Sequence, residues 1–460
     1  MYRYVQVLLL VLFIIQPWRQ MQPGAAATGA FDPQTMDVRL HPDGTLLVGD
    51  QISIEVFTPA GEDFDGSSLH ASFQGSDLGN APFYGAAGDR YRAILQWVWD
   101  TRGLAAGEYT LVLTIPERNQ TWEERVVLAP ADPEIQERAW QTVEVDCCFI
   151  HTITGTDAER DLDVLVPMIE GLAATASRQI GTTLDEKIDI NLIPRILGHG
   201  GFTSDEVYVS YADDNYANPE VAQILYHEML HRYDGLRESN LRPSILIEGL
   251  AVYLSGGHYE RESITFRAAA LLHSGRYIPL QHLADDFYPA QHESGYILAG
   301  ALVGYMVERW GWEAFDGFYR DIQPDSAGQS RAIDRALREH FGVSLEELES
   351  GFLGRLELLP AVPDIVDDVE GTITLFDAVR AYQKLMDNPA YFEQVWLPGA
   401  EDMRSRGIVA DYLRGPDSSG HLQIEARLYE AQAMLDSGDY EVLQQTLSLV
   451  ESELNRVAAQ

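Results

Sequence analysis

Residues 226–235, YHEMLHRYDG, constrain the fold more than any other part of this chain. His227 and His231 are four positions apart, so on an α-helix they share one face and direct both imidazoles at one point. Glu228 follows about 100° further round the helix, within reach of the same point. Whatever the fold, it has to place these three polar side chains on one rigid element.

The flanking residues predict where that helix begins and ends. Asn218 can act as N-cap, Pro219 fits the first helical position, and Glu220 suits the positive end of the helix dipole. Gly235 is placed to end the helix. A helix is therefore expected over about residues 219–235.

A second predicted helix supplies another polar side chain that could be directed at the same point as the two imidazoles. Pro243 begins it, a Gly-Gly pair ends it, and Glu248 lies between apolar residues inside it. Burying a carboxylate there is costly unless a positive group holds it. Two histidines and a glutamate form a ligand set that binds Zn²⁺ and leaves a fourth position open. We expect one Zn²⁺ per chain, with Gly249 and Ala251 letting this helix approach the first one closely.

The rest of the chain divides by pattern into several regions. Residues 35–128 contain short alternating or apolar runs separated by Gly, Pro and Asp, which is typical of an all-β domain. Residues 129–138 contain prolines and indicate a linker. Residues 139–360 combine strands and helices and become mostly helical after Asn218, and residues 370–460 predict a helical carboxyl-terminal domain. The fold class is therefore multidomain.

Strands are predicted in the mixed region at residues 142–154, 187–194 and 206–212, with a helix at 158–180. Cys147 and Cys148 lie in the first of these strands. Because neighbouring Cα atoms are about 3.8 Å apart, closer than ordinary disulfide geometry prefers, we expect two buried free thiols.

The first thirty residues have the pattern of an export signal. A positive residue precedes an apolar core at residues 7–15, and Ala25 and Ala27 fit a small-residue cleavage site. The core is well short of the ~20 residues that a membrane-spanning helix needs. We expect a signal peptide over residues 1–30, with cleavage after Ala27 or Ala30 and a secreted or cell-surface product. An uncleaved anchor is the alternative, and no membrane span is expected after signal cleavage.

The charge of the chain limits its partners. The formal net charge is -39, from 71 acidic and 32 basic residues. Such a surface repels nucleic acid and anionic lipid, so neither is expected as a partner. Oligomeric state is left open by these data.

Three segments together resemble the gluzincin clan of metallopeptidases, in its peptidase MA-like branch. They are ILYHEMLHRYDG, SILIEGLAVYLSGG and SGYILAGALVGYMVERWG, and the resemblance covers about residues 140–355. It implies an α/β-plus-helical zincin catalytic domain with His227, His231 and Glu248 as zinc ligands. It also implies Glu228 as the general base that takes a proton from the attacking water.

Two sequence motifs of the aminopeptidase branch are missing from this chain. The Trp-Leu-Asn that the aminopeptidase branch has before this glutamate is Ile-Leu-Ile at residues 245–247, and the Gly-x-Met-Glu-Asn motif is not seen, which argues against aminopeptidase activity.

Residues 99–115, WDTRGLAAGEYTLVLTI, resemble the closing strands of bacterial immunoglobulin-like modules. An immunoglobulin-like β-sandwich is therefore implied for the amino-terminal region.

The resemblance also suggests a donor for the developing oxyanion. The family tends to place a tyrosine on the helix after the third ligand, which here is Tyr296. Tyr296 is equally well explained as a core aromatic, and His292 and Tyr253 are the alternatives. The remaining histidines His199, His258 and His273 are expected at the surface or as helix caps.

Zincins generally bind an extended substrate against an edge strand by strand addition. The predicted strand at residues 206–212, which follows the glycine-rich GHGGF, is the candidate, with Val207, Tyr208 and Val209 in contact with substrate.

The chain is therefore expected to be a secreted zinc metallopeptidase that acts on a peptide or protein. Two alternatives stand beside it: a non-catalytic zincin-like binding module, and a zinc hydrolase acting on a non-peptide amide. The presence of Glu228 argues against the first, because a structural zinc site needs only ligands. Whether cleavage is internal or terminal is not decided by these residues.

Overall fold

The computed structural model describes residues 35–217, 220–290 and 292–459 of the chain. The predicted signal peptide, residues 1–30, lies outside the described residues, as do Asn218 and Pro219. Within the described part, no helix is both long and apolar enough to cross a membrane.

The amino-terminal region consists of two four-stranded antiparallel sheets. Their strand orders are β1-β2-β6-β5 and β4-β3-β7-β8. The strands are β1 (Asp37–His41), β2 (Gln51–Phe57), β3 (Ser68–Phe73), β4 (Ser76–Pro82), β5 (Tyr84–Ala86), β6 (Arg90–Asp100), β7 (Gly107–Ile115) and β8 (Gln120–Leu128). Alternate side chains of both sheets, such as Ile54 and Leu111, are buried in one shared core. A β-sheet region at the amino-terminal end is therefore confirmed.

The predicted linker begins with an isolated β-bridge to the loop between β1 and β2. The Ala129 backbone exchanges hydrogen bonds with Leu46 and Val48 at 2.8 and 3.0 Å. A short helix, α1 (Pro133–Gln136), follows, with Asp132 as its N-cap.

The next region contains a mixed five-stranded sheet of order β12-β13-β11-β10-β9. Its strands are β9 (Trp140–Glu144), β10 (Cys148–Ile153), β11 (Ile188–Ile193), β12 (Gly201–Thr203) and β13 (Val207–Ser210). The three central strands are parallel, and the two outer strands are antiparallel to their neighbours. Helices α2 (Asp157–Arg160) and α3 (Leu162–Ile180) connect β10 to β11, and α3 shares a core with the sheet.

Two expectations for this sheet are wrong. The single strand predicted at residues 142–154 is a hairpin, with a turn between β9 and β10. Cys147 and Cys148 are joined in a disulfide, so the described residues contain no free thiol. The physical reason is the turn itself: Cys147 lies in its bend and Cys148 begins β10, so the two side chains are not on opposite faces of one strand.

The two helices predicted from the histidines and Glu248 are present. Helix α4 (Val221–Gly235) begins two residues later than predicted, with Glu220 as N-cap, and ends at Gly235 as expected. Helix α5 (Ser244–Ser255) has Pro243 as N-cap and is followed by Gly256 at φ +85°. The left-handed conformation of Gly256 explains why a glycine ends this helix.

The next helices in the chain are α6 (Ile264–His273), α7 (Leu280–Asp285), α8 (His292–Trp310), α9 (Trp312–Asp321), α10 (Gln329–Phe341) and α11 (Leu345–Glu357). Helix α5 packs chiefly on α8. A Cβ on Gly249 would lie 2.6 Å from the carbonyl oxygen of Ala299 in α8. The expectation that Gly249 brings α5 close to α4 is therefore wrong, because its bare face is turned to α8.

A helical carboxyl-terminal region is confirmed. It contains α12 (Pro363–Met386), α13 (Ala400–Arg406), α14 (Ala410–Leu413), α15 (Ser419–Asp436) and α16 (Tyr440–Ala458). Helix α12 packs on α15 and α16 and also on α6 and α8. It begins at Pro363, between the predicted domains 139–360 and 370–460.

Candidate metal centre

Three predicted side chains from two helices meet at one point. The Nε2 atoms of His227 and His231 lie 3.0 Å apart. The Glu248 Oε2 atom lies 3.2 Å from each of them. His227 and Glu248 are buried, with exposed fractions of 3% and 6%. Among the described residues these three form the one group of His, Cys, Asp or Glu side chains placed to hold a metal ion.

The spacing of the three atoms fits Zn²⁺. Zinc bonds to nitrogen and oxygen are about 2.0–2.1 Å long, so neighbouring ligands of a tetrahedral ion are about 3.3 Å apart. The observed triangle of 3.0 to 3.2 Å is close to that value. Nitrogen and carboxylate ligands are also the types that zinc takes. The residues present therefore fit one zinc ion with a fourth position open.

The electrostatics of the site keep Glu248 ionised. Burial opposes ionisation of Glu248, yet the adjacent His231 and His227 hold the pKa of its carboxyl well below the usual range. Burial would lower the pKa of His231, and Glu248 outweighs that effect and raises it. The glutamate is thus in the carboxylate form that coordinates metal.

Tyr288 orients this carboxylate from the other side. Its hydroxyl donates a hydrogen bond of 2.8 Å to Glu248 Oε1, the oxygen that is turned away from the histidines. Tyr288 lies in the loop between α7 and α8. Sequence reasoning missed it, because a helical period gives no information about the path of a loop.

Glu228 lies beside the triangle and is held by the sheet. The Thr203 hydroxyl donates to Glu228 Oε2 at 2.6 Å, and the carboxylate lines the same cavity as the three ligand candidates. Glu228 is 8% exposed. Thr203 was not predicted from sequence, since its strand β12 has three residues and shows no alternation.

The strand expected to contact substrate is not at the edge of the sheet. Strand β13 pairs with β11 on one side and with β12 on the other, so its backbone has no free edge. Val207 and Val209 are buried in the core between sheet and helices. Of the three, Tyr208 lines the cavity. The edge strand beside the histidines is β12, which corrects the prediction.

Tyr296 lies in the cavity wall. Its ring centroid is 6.0 Å from that of His227, and it stacks on His258 at 3.9 Å. Burial and then Glu248 raise the pKa of its phenol well above the usual range, so Tyr296 keeps its proton near neutral pH. Tyr253 lines a different cavity, with Gly300 and Gly304. The side chain of His292 lies outside the described part of the chain.

The expectations for the other histidines hold only for His273, which is exposed. His258 is buried, lines the cavity, and pairs through Nδ1 with Glu293 Oε2 at 2.9 Å. His199 also lines the cavity, and burial lowers the pKa of its imidazole well below the usual range. The expectation that His199 and His258 are surface or capping residues is therefore wrong.

The whole cavity has a volume of about 340 Å³. One part is polar and holds the histidines and the two glutamates. The other part is apolar and aromatic, and its lining residues include Ile193, Leu197, Phe202, Tyr208, Phe392, Val395 and Leu397. The candidate metal-binding residues and an apolar surface thus line one cleft.

Comparison with known proteins gives little to add to this geometry. No protein-family model matches the chain, and no curated protein matches it. Thirteen chains of solved structures match. One of them is an aminopeptidase N family protein from Idiomarina loihiensis, with a TM-score of 0.21 and 10% identity, covering 79% of this chain and 76% of that one. Likeness at this level supports no functional argument.

Proposed function

We propose that the chain is a zinc-dependent metallopeptidase that hydrolyses peptide bonds, with His227, His231 and Glu248 as zinc ligands. The observation that carries the proposal is the triangle of ligand atoms, 3.0 to 3.2 Å on each side, with the Glu228 carboxylate beside it. A site that only held a structural metal would need no such carboxylate. Glu228 is instead kept in place by a hydrogen bond from the sheet.

The residues of the cleft divide the chemistry among them. A bound zinc ion would make a water molecule more acidic and polarise the scissile carbonyl. Glu228 takes a proton from the attacking water and delivers it to the leaving amine. Tyr296 keeps its phenol proton and donates a hydrogen bond to the oxyanion that develops. Tyr288 holds the Glu248 carboxylate in its orientation through their hydrogen bond.

The edge strand β12 is the proposed binding site for the substrate backbone. It is the last strand of its sheet, and an extended peptide can add to such an edge as a further strand. A Cβ on Gly201 would lie 2.4 Å from Ile224 Cγ2 and 3.0 Å from Glu228 Cγ. The glycine therefore lets β12 approach α4 closely, which brings a bound peptide next to the general base.

The finer assignments of fold and location belong to the same proposal. Residues 139–360 are proposed to be a gluzincin-type zincin domain, and residues 35–128 an immunoglobulin-like β-sandwich. One Zn²⁺ per chain, a peptide or protein substrate and export through residues 1–30 complete it.

A peptide-library screen tests the proposal, with the Glu228→Gln variant as the blank. Both proteins should bind about one zinc ion per chain, and only the wild type should cleave peptides. A wild type that binds zinc and cleaves no peptide would contradict peptide hydrolysis. In that case, model amides that are not peptides would test whether the same centre acts on another amide.

A further inference from the structure

We infer that residues 387–399, named here the bridging segment, form a specificity wall of the cleft that selects a large apolar side chain of the substrate. The inference rests on the proposed peptidase function and names the substrate class of that site. It also assigns a role to part of the carboxyl-terminal region.

The bridging segment contributes directly to the apolar part of the cleft. Val395 and Leu397 line the cavity that also contains Glu228. They pack in one apolar cluster with residues of the sheet and of the loop that follows β11, namely Ile193, Leu197 and Tyr208. This cluster is separate from the core that surrounds helices α4 and α5. The bridging segment therefore packs on the sheet and forms the apolar wall together with it.

Two aromatic side chains extend this wall. Phe392 of the bridging segment lines the cavity, with its ring centroid 6.3 Å from that of His199 and the Arg380 guanidinium 4.7 Å from its own centroid. Phe202 on the edge strand β12 is 39% exposed and 6.4 Å from Tyr208 between ring centroids. A bound apolar side chain would cover surface that is now in contact with water.

The start of the bridging segment is fixed to the loop after β11. The Gly198 amide donates to the Ala390 carbonyl at 2.8 Å, and Gln383 Nε2 donates to the Gly198 carbonyl at 2.8 Å. Arg195 and Asp387 form a buried ion pair at the same place. The wall therefore has a defined position relative to the sheet.

The end of the bridging segment is fixed to the amino-terminal β-sheet region. The Trp396 ring stacks on His41 of β1, with centroids 3.8 Å apart and planes at 4°. Trp396 Nε1 donates to Asp411 Oδ1 at 2.9 Å, and Trp97 Nε1 donates to the other oxygen at 3.2 Å. Trp396 is thus directed away from the cleft, while the residues on either side of it line the cleft.

A wall built in this way discriminates by polarity. A large apolar side chain in contact with it leaves water, which favours binding by about tenfold or more over a small polar side chain. The bridging segment is held at both ends, so little ordering is needed when the substrate binds.

Binding to the Glu228→Gln protein, measured by calorimetry, tests the inference without any turnover. The probes are pairs of peptides that differ at a single position, which is Phe in one peptide and Ser in the other. The varied position is, in turn, each residue around the bond that the wild type cleaves. If the wild type cleaves none, every position of one peptide sequence is varied in turn. At one position the Phe peptide should bind about tenfold more tightly than the Ser peptide. Adding Val395→Thr, which keeps the volume and introduces a hydroxyl, should reduce that ratio at least threefold. The matched control Val164→Thr, at a valine with 64% exposure in α3, should leave it unchanged.

The outcomes separate this inference from the proposed function. An equal ratio with and without Val395→Thr, or no Phe preference at any position, overturns the inference even if peptides are cleaved. Zinc binding without any cleavage contradicts the proposed function. The ratio of the affinities for the Phe and Ser peptides, measured by calorimetry, still tests whether the wall selects an apolar side chain. If Val395→Thr lowers the melting temperature by more than a few degrees, Leu397→Val replaces it. That variant widens the wall and should shift the preference to longer side chains, and an unshifted preference overturns the inference.

Discussion

Thr203 of the edge strand donates its hydroxyl hydrogen to the Glu228 carboxylate of α4, across 2.6 Å. This bond connects the strand proposed to bind the substrate backbone with the residue proposed to take the water proton. Gly201, two residues earlier, makes the close approach of the two elements sterically possible. In the proposed mechanism, this one contact would set the positions of both the substrate backbone and the base.

Replacing Thr203 by Val removes this hydrogen bond and keeps the shape of the side chain. We expect kcat to fall about tenfold, because the base loses its fixed orientation while the zinc ligands are untouched. Steady-state kinetics and zinc analysis measure the two effects separately. Thr374→Val, which removes a hydroxyl that bonds only its own helix at Glu370, is the control and should have normal kcat. An unchanged kcat in Thr203→Val would argue against the positioning role.

Replacing Tyr288 by Phe removes the hydrogen bond to Glu248 Oε1 and should weaken zinc binding by about tenfold, since such supporting bonds orient the ligand. Competition with a chelator of known affinity measures the change. Tyr305→Phe, in α8 at a different cavity, is the matched control. Equal zinc affinity in Tyr288→Phe and wild type would show that the hydrogen bond does not support the metal centre.

Gly249 and Gly317 offer a matched pair of glycines within helices. A Cβ at Gly249 meets the Ala299 backbone at 2.6 Å, whereas a Cβ at Gly317 meets nothing within 4 Å. Gly249→Ala should destabilise the zinc-free protein by about 2 kcal/mol, because α5 and α8 have to separate. Gly317→Ala should stabilise it by up to about 1 kcal/mol, the gain in helix propensity. Melting temperatures that move in the same direction would contradict the packing described here.

A pH dependence is expected from Asp234, at the end of α4. Burial would raise the pKa of this carboxyl, but Arg242 and Arg320 outweigh burial and lower it below its ordinary 3.8. Because the folded-state pKa is lowered, the stabilisation is complete well above pH 3.8 and is lost as the pH falls through the folded value. Asp234→Asn should therefore cost about 2 to 4 kcal/mol at neutral pH and progressively less below about pH 4.

The measurement for Asp234 is denaturation of the zinc-free protein at several pH values, so that protonation of the histidines does not release metal during the experiment. Asp65→Asn, at an exposed position, should track the wild type throughout. A constant difference between wild type and Asp234→Asn from neutral pH down to about pH 3 would show that the carboxylate charge is not the stabilising factor.

The candidate metal centre was largely predictable from sequence because it depends on helical periodicity. His227 and His231 share a face whatever the surroundings, and Glu248 is conspicuous as a carboxylate in an apolar helix. The two helices end where their flanking Gly residues indicate. These features are local, so they can be read without knowing the tertiary fold.

The remainder of the cleft depends on long-range packing that the sequence pattern does not contain. Tyr288 reaches Glu248 from a loop, and Thr203 lies in a strand too short to show alternation. The wall at Val395 is held by Trp396 stacking on His41, more than 350 positions earlier in the sequence. The edge position of β12 follows from the order of the strands in the sheet, which a sequence pattern does not show. The pattern therefore indicated β13 as the substrate-binding strand.

Zinc stoichiometry decides whether this chain has the proposed metal centre. The wild-type chain, His231→Ala and Glu248→Ala are purified in parallel without chelator, and the bound metal is counted. We expect about one zinc ion per wild-type chain and its loss in both variants. A wild type without metal would contradict the metallopeptidase, and zinc retained in Glu248→Ala alone would show that another residue is the third ligand.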